Sequence, residues 1–98
     1  MAEETLGQAI DELWDVIDER SVADPAESYT ARLMAGHVDY ILKKLAEEAC
    51  EVVMAAKDHD HEHLRYEVVD LLYHLLVGCY RADLSSEELA AEIRGRFK

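Results

Sequence analysis

Four acidic residues stand at helical spacing inside two apolar stretches of this sequence. Glu48 and Glu51 lie three residues apart in the first stretch, and Glu67 and Asp70 lie three apart in the second. Residues three apart project from one side of an α-helix. A carboxylate in apolar surroundings must either find a partner or become neutral. Because few cations lie near these four in sequence, we expect them to share a bound cation.

The second stretch, residues 64–81, is apolar around most of its circumference if it forms a helix. Glu67, Asp70 and His74 interrupt it together, within an arc of roughly 60°. A helix that is apolar nearly all round is buried nearly all round. We therefore expect the acidic stripe to face a cleft. A chain of 98 residues has too few helices to cover the rest, which predicts a homodimer or higher even oligomer.

The whole chain is predicted to be all-α, a single domain over residues 1–98 built as a bundle of about four to five helices and completed by dimerisation. No strand pattern is present. The expected helices run from near Ala2, over 31–35 with Gly36 as the C-cap, over 37–57, over 64–81, and after a capping box formed by Ser85 and Glu88.

The net charge of the chain, -12 at neutral pH, argues against binding to nucleic-acid phosphates. An anionic substrate would need a metal ion or a few placed Lys and Arg side chains. The N-terminus shows no signal-peptide pattern, and the apolar run over 71–79 is too short to span a bilayer. We expect a cytoplasmic protein with no membrane or nucleic-acid partner.

The segment 58–63 between the two long helices alternates histidine with acidic residues. Such a tract can bind Zn²⁺ or Ni²⁺ adventitiously. The alternative is a polar turn in which Asp58 or Asp60 caps the following helix. We adopt the turn, because metal ligands would otherwise sit on an exposed connection.

The acidic pattern and the words around it resemble the MazG-like all-α nucleoside triphosphate pyrophosphohydrolases. Within that group the sequence most resembles the phosphoribosyl-ATP pyrophosphatase family. The matching segments are Ser28–Ala31, Ile41–Leu45, Glu47–Ala49, Glu51–Val53 and Asp70–Leu75.

This resemblance implies Mg²⁺-dependent hydrolysis of phosphoribosyl-ATP to phosphoribosyl-AMP and pyrophosphate, the second step of histidine biosynthesis. The residue types fit on their own, since Mg²⁺ prefers hard oxygen ligands and keeps waters for substrate phosphates. We assign Glu48, Glu51, Glu67 and Asp70 to Mg²⁺, with Mn²⁺ as a substitute. Glu47 and Glu48 are the catalytic candidates, Glu47 orienting or deprotonating the attacking water.

Three cations are candidates to hold the phosphates or the phosphoribosyl group of the substrate: Arg32, Lys43 and Lys44. The two lysines have an alternative role, because each can pair with the glutamate four residues later on the same helix.

Three ring side chains carry two interpretations each. His74 is predicted on the substrate side of the site or bonded to a metal-ligating carboxylate, and its alternative is a histidine satisfied in the core. Tyr29 and Tyr73 either stack on the adenine or belong to the core.

Two rival functions remain at this stage. The first is a MazG-like enzyme that acts on another nucleoside triphosphate through the same metal site. The second is a non-enzymatic acidic helical module for dimerisation, which predicts charges on outward faces only. A di-iron bundle is excluded, since it needs Glu-x-x-His motifs and no histidine here has Glu three residues before it.

Overall fold

The computed structural model describes residues 4–97, and within that range the chain is all-α, as predicted. Completion of the bundle by dimerisation stays a prediction. The five helices are α1 (Leu6–Arg20), α2 (Tyr29–Ala35), α3 (Val38–Lys57), α4 (His61–Arg81) and α5 (Ser86–Phe97).

The first helix begins at Leu6, so the predicted start near Ala2 is wrong, and Ala2 itself lies outside the described residues. A capping box sets the boundary. The Thr5 hydroxyl accepts from the Gln8 amide at 3.1 Å, and the Thr5 amide donates to the Gln8 side chain at 2.9 Å. These two bonds satisfy amides that have no partner inside the helix, which favours a start here.

The second helix begins at Tyr29, two residues before the predicted Ala31, because the Ser28 hydroxyl accepts from the Ala31 amide at 3.1 Å. Gly36 ends this helix, as predicted. The predicted capping box of Ser85 and Glu88 is also present, with reciprocal bonds of 2.8 and 3.1 Å.

A tight turn over residues 58–60 joins α3 to α4 and folds them into an antiparallel pair. His59 adopts a positive φ of 57°, and the Asp60 carboxylate accepts from the His63 amide at 3.1 Å. The polar-turn interpretation is therefore confirmed for Asp60. Because the cap lies at Asp60, α4 begins at His61 instead of Leu64.

The core lies where α1 and α2 cover one side of the α3–α4 pair. Its buried apolar side chains are Ile17, Leu33, Ile41, Leu76 and Val77, with Trp14, Leu45 and Tyr80 partly buried against them. Burial of these side chains supplies the main stabilisation, and it fixes the two helices that carry the acidic residues.

The other side of the α3–α4 pair is open in the single chain. Helical spacing aligns Leu42, Ala46, Ala49 and Val53 on α3, and Leu64, Val68, Leu71 and Leu75 on α4; we name these rows the outer apolar stripes. Leu42 is 54% exposed, Val53 64% and Val68 45%. Among the described residues of one chain, no second layer of helices covers this side of α4, and its burial by a second copy stays a prediction. Helix α5 likewise has no buried residue.

No helix in the described part of the chain has both the length and the apolar character needed to cross a membrane.

The glycine inside α4 generates a prediction about packing. A Cβ at Gly78 would lie 3.5 Å from Ile41 Cγ2 and 3.8 Å from Leu45 Cδ1, which are ordinary contact distances. Glycine in a helix interior costs roughly 0.5–1 kcal/mol relative to alanine. We expect Gly78→Ala to raise the free energy of unfolding by about that amount, measured by chemical denaturation.

The matched control is Gly95→Ala on α5, where an added Cβ meets nothing within 4 Å. This variant should gain no more than Gly78→Ala, because it adds helix propensity without packing. A loss of stability in Gly78→Ala would show that α3 and α4 approach more closely than described.

Candidate active site

The four acidic residues singled out by their spacing meet across the α3–α4 interface as two pairs. Glu48 lies beside Asp70, and Glu51 lies beside Glu67. The pairing follows from the antiparallel arrangement, since three residues forward on α3 match three residues back on α4. One helical turn, roughly 5 Å, separates the two levels.

Each pair is joined by a histidine, and in each resulting triad the ligand atoms all lie within 4.8 Å of one another. We name Glu48, Asp70 and His74 the inner cluster, because Glu48 and His74 are buried. We name Glu51, His63 and Glu67 the outer cluster, because Glu51 and His63 are exposed.

The surroundings of Glu48 favour the protonated form of its carboxyl. Glu48 is 4% exposed, and its pKa is raised to about 7, first by burial and then by the hydrogen bond and negative charge of Asp70. Lys44, whose Nζ lies 3.5 Å from Glu48 Oε1, opposes these effects. A cation between the two carboxylates would replace that proton.

His74 has a protein partner at each ring nitrogen. Its Nδ1 lies 2.9 Å from the backbone carbonyl of Asp70, which can only accept, so Nδ1 carries the hydrogen. Its Nε2 lies 3.0 Å from the Tyr29 hydroxyl, which donates to a neutral imidazole. We assign this tautomer from the partners. Both nitrogens are thus engaged, while the Glu48 and Asp70 carboxylates lie 3.5 and 3.6 Å from Nδ1. The predicted contact of His74 with substrate stays a prediction.

The outer cluster contains His63, which was predicted to lie in the turn before α4. His63 Nε2 lies 3.3 Å from Glu67 Oε1. The signal was the i, i+4 spacing of His63 and Glu67, which places both on one helix face. It was missed because α4 was expected to begin only at Leu64, whereas the Asp60 cap brings His63 into the first turn.

The basic side chains predicted to bind substrate lie at different distances from the inner cluster. Lys44 contacts the inner cluster through Glu48. This contact is also the i, i+4 pair that was named as its alternative role. Lys43 and Glu47 are exposed on α3. The Arg32 guanidinium lies on α2, 5.7 Å from the centre of the Tyr29 ring, and donates to the Pro25 carbonyl at 2.9 Å.

Tyr29, Tyr73 and His74 form an aromatic group at the edge of the inner cluster. The two tyrosine rings are stacked with centres 6.3 Å apart, and the imidazole packs edge-on against both. Burial raises the pKa of the Tyr29 phenol, which keeps it a neutral hydrogen-bond donor. These rings therefore pack partly against the protein itself, as the core alternative predicts.

A groove of about 680 Å³ runs beside the inner cluster between α1 and α4. Asp70 lies on its wall together with Tyr73, Tyr66 and Leu13. A second cavity of about 210 Å³ is lined by Tyr29, Arg32 and Tyr40. Of the four acids, Asp70 is thus reached from a groove large enough for a nucleotide-sized ligand.

The buried acids speak against the non-enzymatic alternative. That reading predicts charges on outward faces only, whereas Glu48 is 4% exposed and Glu67 8% exposed. Desolvating two carboxylates costs stability, so their presence calls for a role that outward charges do not need.

Comparisons with known proteins agree with this geometry. The sequence model of the family described as phosphoribosyl-ATP pyrophosphohydrolase matches residues 10–97. A phosphoribosyl-ATP pyrophosphatase from Nitrosomonas eutropha is 45% identical over 84 residues, which cover 86% of this chain and 72% of the relative. Another from Rhizobium etli is 46% identical over 90 residues, covering 92% of this chain and 84% of the relative.

A histidine biosynthesis bifunctional protein, HisIE, from Bacillus subtilis is 52% identical over 100 aligned positions, which cover 96% of this chain and 48% of that protein. The family match extends over all five helices and includes both acidic clusters. The chain belongs to the phosphoribosyl-ATP pyrophosphohydrolase family.

Proposed function

We propose that this chain hydrolyses phosphoribosyl-ATP to phosphoribosyl-AMP and pyrophosphate, the second step of histidine biosynthesis, at a Mg²⁺ site formed by Glu48, Glu51, Glu67 and Asp70. The names of the relatives support the substrate and the pathway. The single observation that carries the metal site is the pair of carboxylate contacts across α3 and α4. A cytoplasmic location stays a prediction.

The donor set fits Mg²⁺. Four carboxylates offer the hard oxygen ligands that this ion prefers, and they stand on two helices that pack without it. The raised pKa of Glu48 reports the repulsion and desolvation that a divalent cation would relieve. When bound, Mg²⁺ would neutralise charge on the phosphate oxygens and acidify a coordinated water.

The side chains around the acids have separate tasks in this proposal. Lys44, already at the inner cluster, donates to a phosphate oxygen and reduces the negative charge that the substrate meets. Arg32 and Lys43 extend the positive contacts toward the phosphoribosyl group. These contacts orient the triphosphate for in-line attack, which is the larger part of catalysis in phosphoryl transfer.

The hydrolysis step needs one proton acceptor. Water oxygen bonds to a phosphorus of the α–β anhydride, the bond from that phosphorus to the bridging oxygen breaks, and the water proton passes to a carboxylate. Glu47 and Glu48 are the candidates. Glu48 belongs to the inner cluster, and Glu47 is its exposed neighbour outside the cross-helix pairs.

We also propose that two copies of the chain pack through the outer apolar stripes. Leu42 and Val53 on α3, with Val68 and Leu75 on α4, expose about half of their surface in one chain. Two such antiparallel pairs, packed face to face, give a four-helix bundle with a continuous apolar core.

The dimer is tested by mass in solution. Light scattering at micromolar concentration is expected to give twice the mass of the chain. Val68→Arg should shift the mass toward the monomer, because it places a charge in the interface. Val22→Arg is the matched control, since Val22 is 89% exposed in the loop after α1. A monomeric parent would rule this dimer out.

The proposed activity is tested by pyrophosphate release from phosphoribosyl-ATP with Mg²⁺. We expect a chelator to abolish release and to leave the helical circular dichroism intact, because an open carboxylate site on a packed bundle does not drive folding. Adding excess Mg²⁺ should restore the rate. Release from ATP but not from phosphoribosyl-ATP would contradict the substrate, and loss of helix in chelator would make the metal structural.

The raised pKa of Glu48 predicts how stability depends on pH without metal. Since the folded pKa lies above the unfolded value, the protonated group favours the folded state below about pH 4.5, and this contribution is lost as pH rises through about 7. Glu48→Gln mimics the protonated acid. In chelator it should therefore match the parent at pH 5 and exceed its free energy of unfolding by a few kcal/mol at pH 8.

The control for this series is Glu87→Gln, which removes the same charge from an exposed position on α5. It should follow the parent at both pH values. With Mg²⁺ present, Glu48→Gln should lose pyrophosphate release, because an amide is a poor Mg²⁺ ligand. A Glu48→Gln variant that unfolds more easily yet keeps its turnover would exclude Glu48 from the site.

A further inference from the structure

We propose that His63 is a ligand of the cation at the outer cluster and makes that position prefer divalent cations that accept a nitrogen ligand, Mn²⁺ among them, over Mg²⁺. This inference rests on the proposed function, because Glu51 and Glu67 are among the carboxylates assigned to the metal. It adds a nitrogen donor to a set of oxygen donors.

The distances suit one shared cation. His63 Nε2 lies 3.3 Å from Glu67 Oε1, and both lie within 4.8 Å of a Glu51 oxygen. Around an octahedral ion with ligand bonds of roughly 2.1 Å, neighbouring ligand atoms are roughly 3 Å apart and opposite ones roughly 4 Å apart. The three atoms therefore need only small side-chain movements to reach one ion.

The backbone holds these donors in place. Glu67 is 8% exposed, which limits its carboxylate to a narrow range of positions. His63 stands in the first turn of α4, where its amide is bonded to the Asp60 cap. Of the three histidines in segment 59–63, only His63 joins a group of metal-ligating atoms within residues 4–97.

The two clusters differ in whether a histidine nitrogen is available to bind a cation. In the inner cluster, both ring nitrogens of His74 are engaged by Asp70 and Tyr29, so only oxygen remains for a cation. In the outer cluster, His63 is exposed on the helix surface and can turn Nε2 from Glu67 to a metal. Imidazole suits Zn²⁺ and Ni²⁺. Mn²⁺ binds mainly oxygen, but it accepts an imidazole nitrogen more readily than Mg²⁺, which is selective for oxygen. The outer position therefore favours a cation that accepts nitrogen.

The test compares MnCl₂ and MgCl₂ binding to the full chain by titration calorimetry. His63→Gln should weaken the tightest Mn²⁺ binding by about tenfold or more, a loss typical for groups that support a bound metal, and should change Mg²⁺ binding by less than about twofold, since oxygen ligands are kept. His61→Gln is the matched control, because His61 lies on the same turn outside the cluster. It should bind both cations like the parent.

A spectroscopic measurement identifies the ligand directly. Electron spin-echo spectra of the Mn²⁺-loaded parent and of His61→Gln should show modulation from an imidazole nitrogen, and those of His63→Gln should lack it. Circular dichroism verifies that each variant is folded.

The outcomes separate this inference from the proposed function. Equal loss of Mg²⁺ and Mn²⁺ affinity in His63→Gln, or a nitrogen signal that survives the substitution, would overturn the role of His63 and leave the carboxylate site standing. A parent that binds neither cation would overturn the metal assignment of the proposed function and this inference with it.

Discussion

The structure depends on holding like charges together across the α3–α4 interface. Glu48 and Asp70 share one level, Glu51 and Glu67 share the next, and two of these four side chains are nearly excluded from water. Each contact costs Coulomb energy and hydration. Folding must therefore obtain its stability elsewhere, and the apolar core formed with α1 and α2 supplies it. The paired acids raise the energy of the site, and the proposed divalent cation would lower it.

The turn between the two helices sets which acids meet. Because residues 58–60 fix the antiparallel register, a shift of one residue along α4 would rotate its side chains by about 100° and separate both carboxylate pairs. The positive φ of His59 and the Asp60 cap are thus part of the active-site architecture, although neither residue is assigned to the metal.

Features that depend on the sequence of one helix were predicted correctly, whereas features that depend on how two helices pack together were missed. Spacing alone identified the four acids, the Ser85–Glu88 capping box and Gly36 as a C-cap, since each pattern is local. It could not divide the acids into two levels, because the division depends on the register across the hairpin. His63 was missed for a related reason: a shift of the predicted helix start by three residues moved it from the turn onto the site face. The apolar pattern of α4 indicates that its outer side is covered, but the pattern does not identify what covers it.

The hydrogen bond from Tyr29 to His74 links substrate-side structure to the carboxylates. Helix α2 spans only seven residues, too few to be stable by its own hydrogen bonds, so its position is set by what it touches. One of those contacts is His74, which is bonded in turn to Asp70. The cavity wall that carries Tyr29 and Arg32 is thereby tied to the α4 backbone at Asp70. The position of a short helix is in this way coupled to the backbone beneath the inner carboxylate pair.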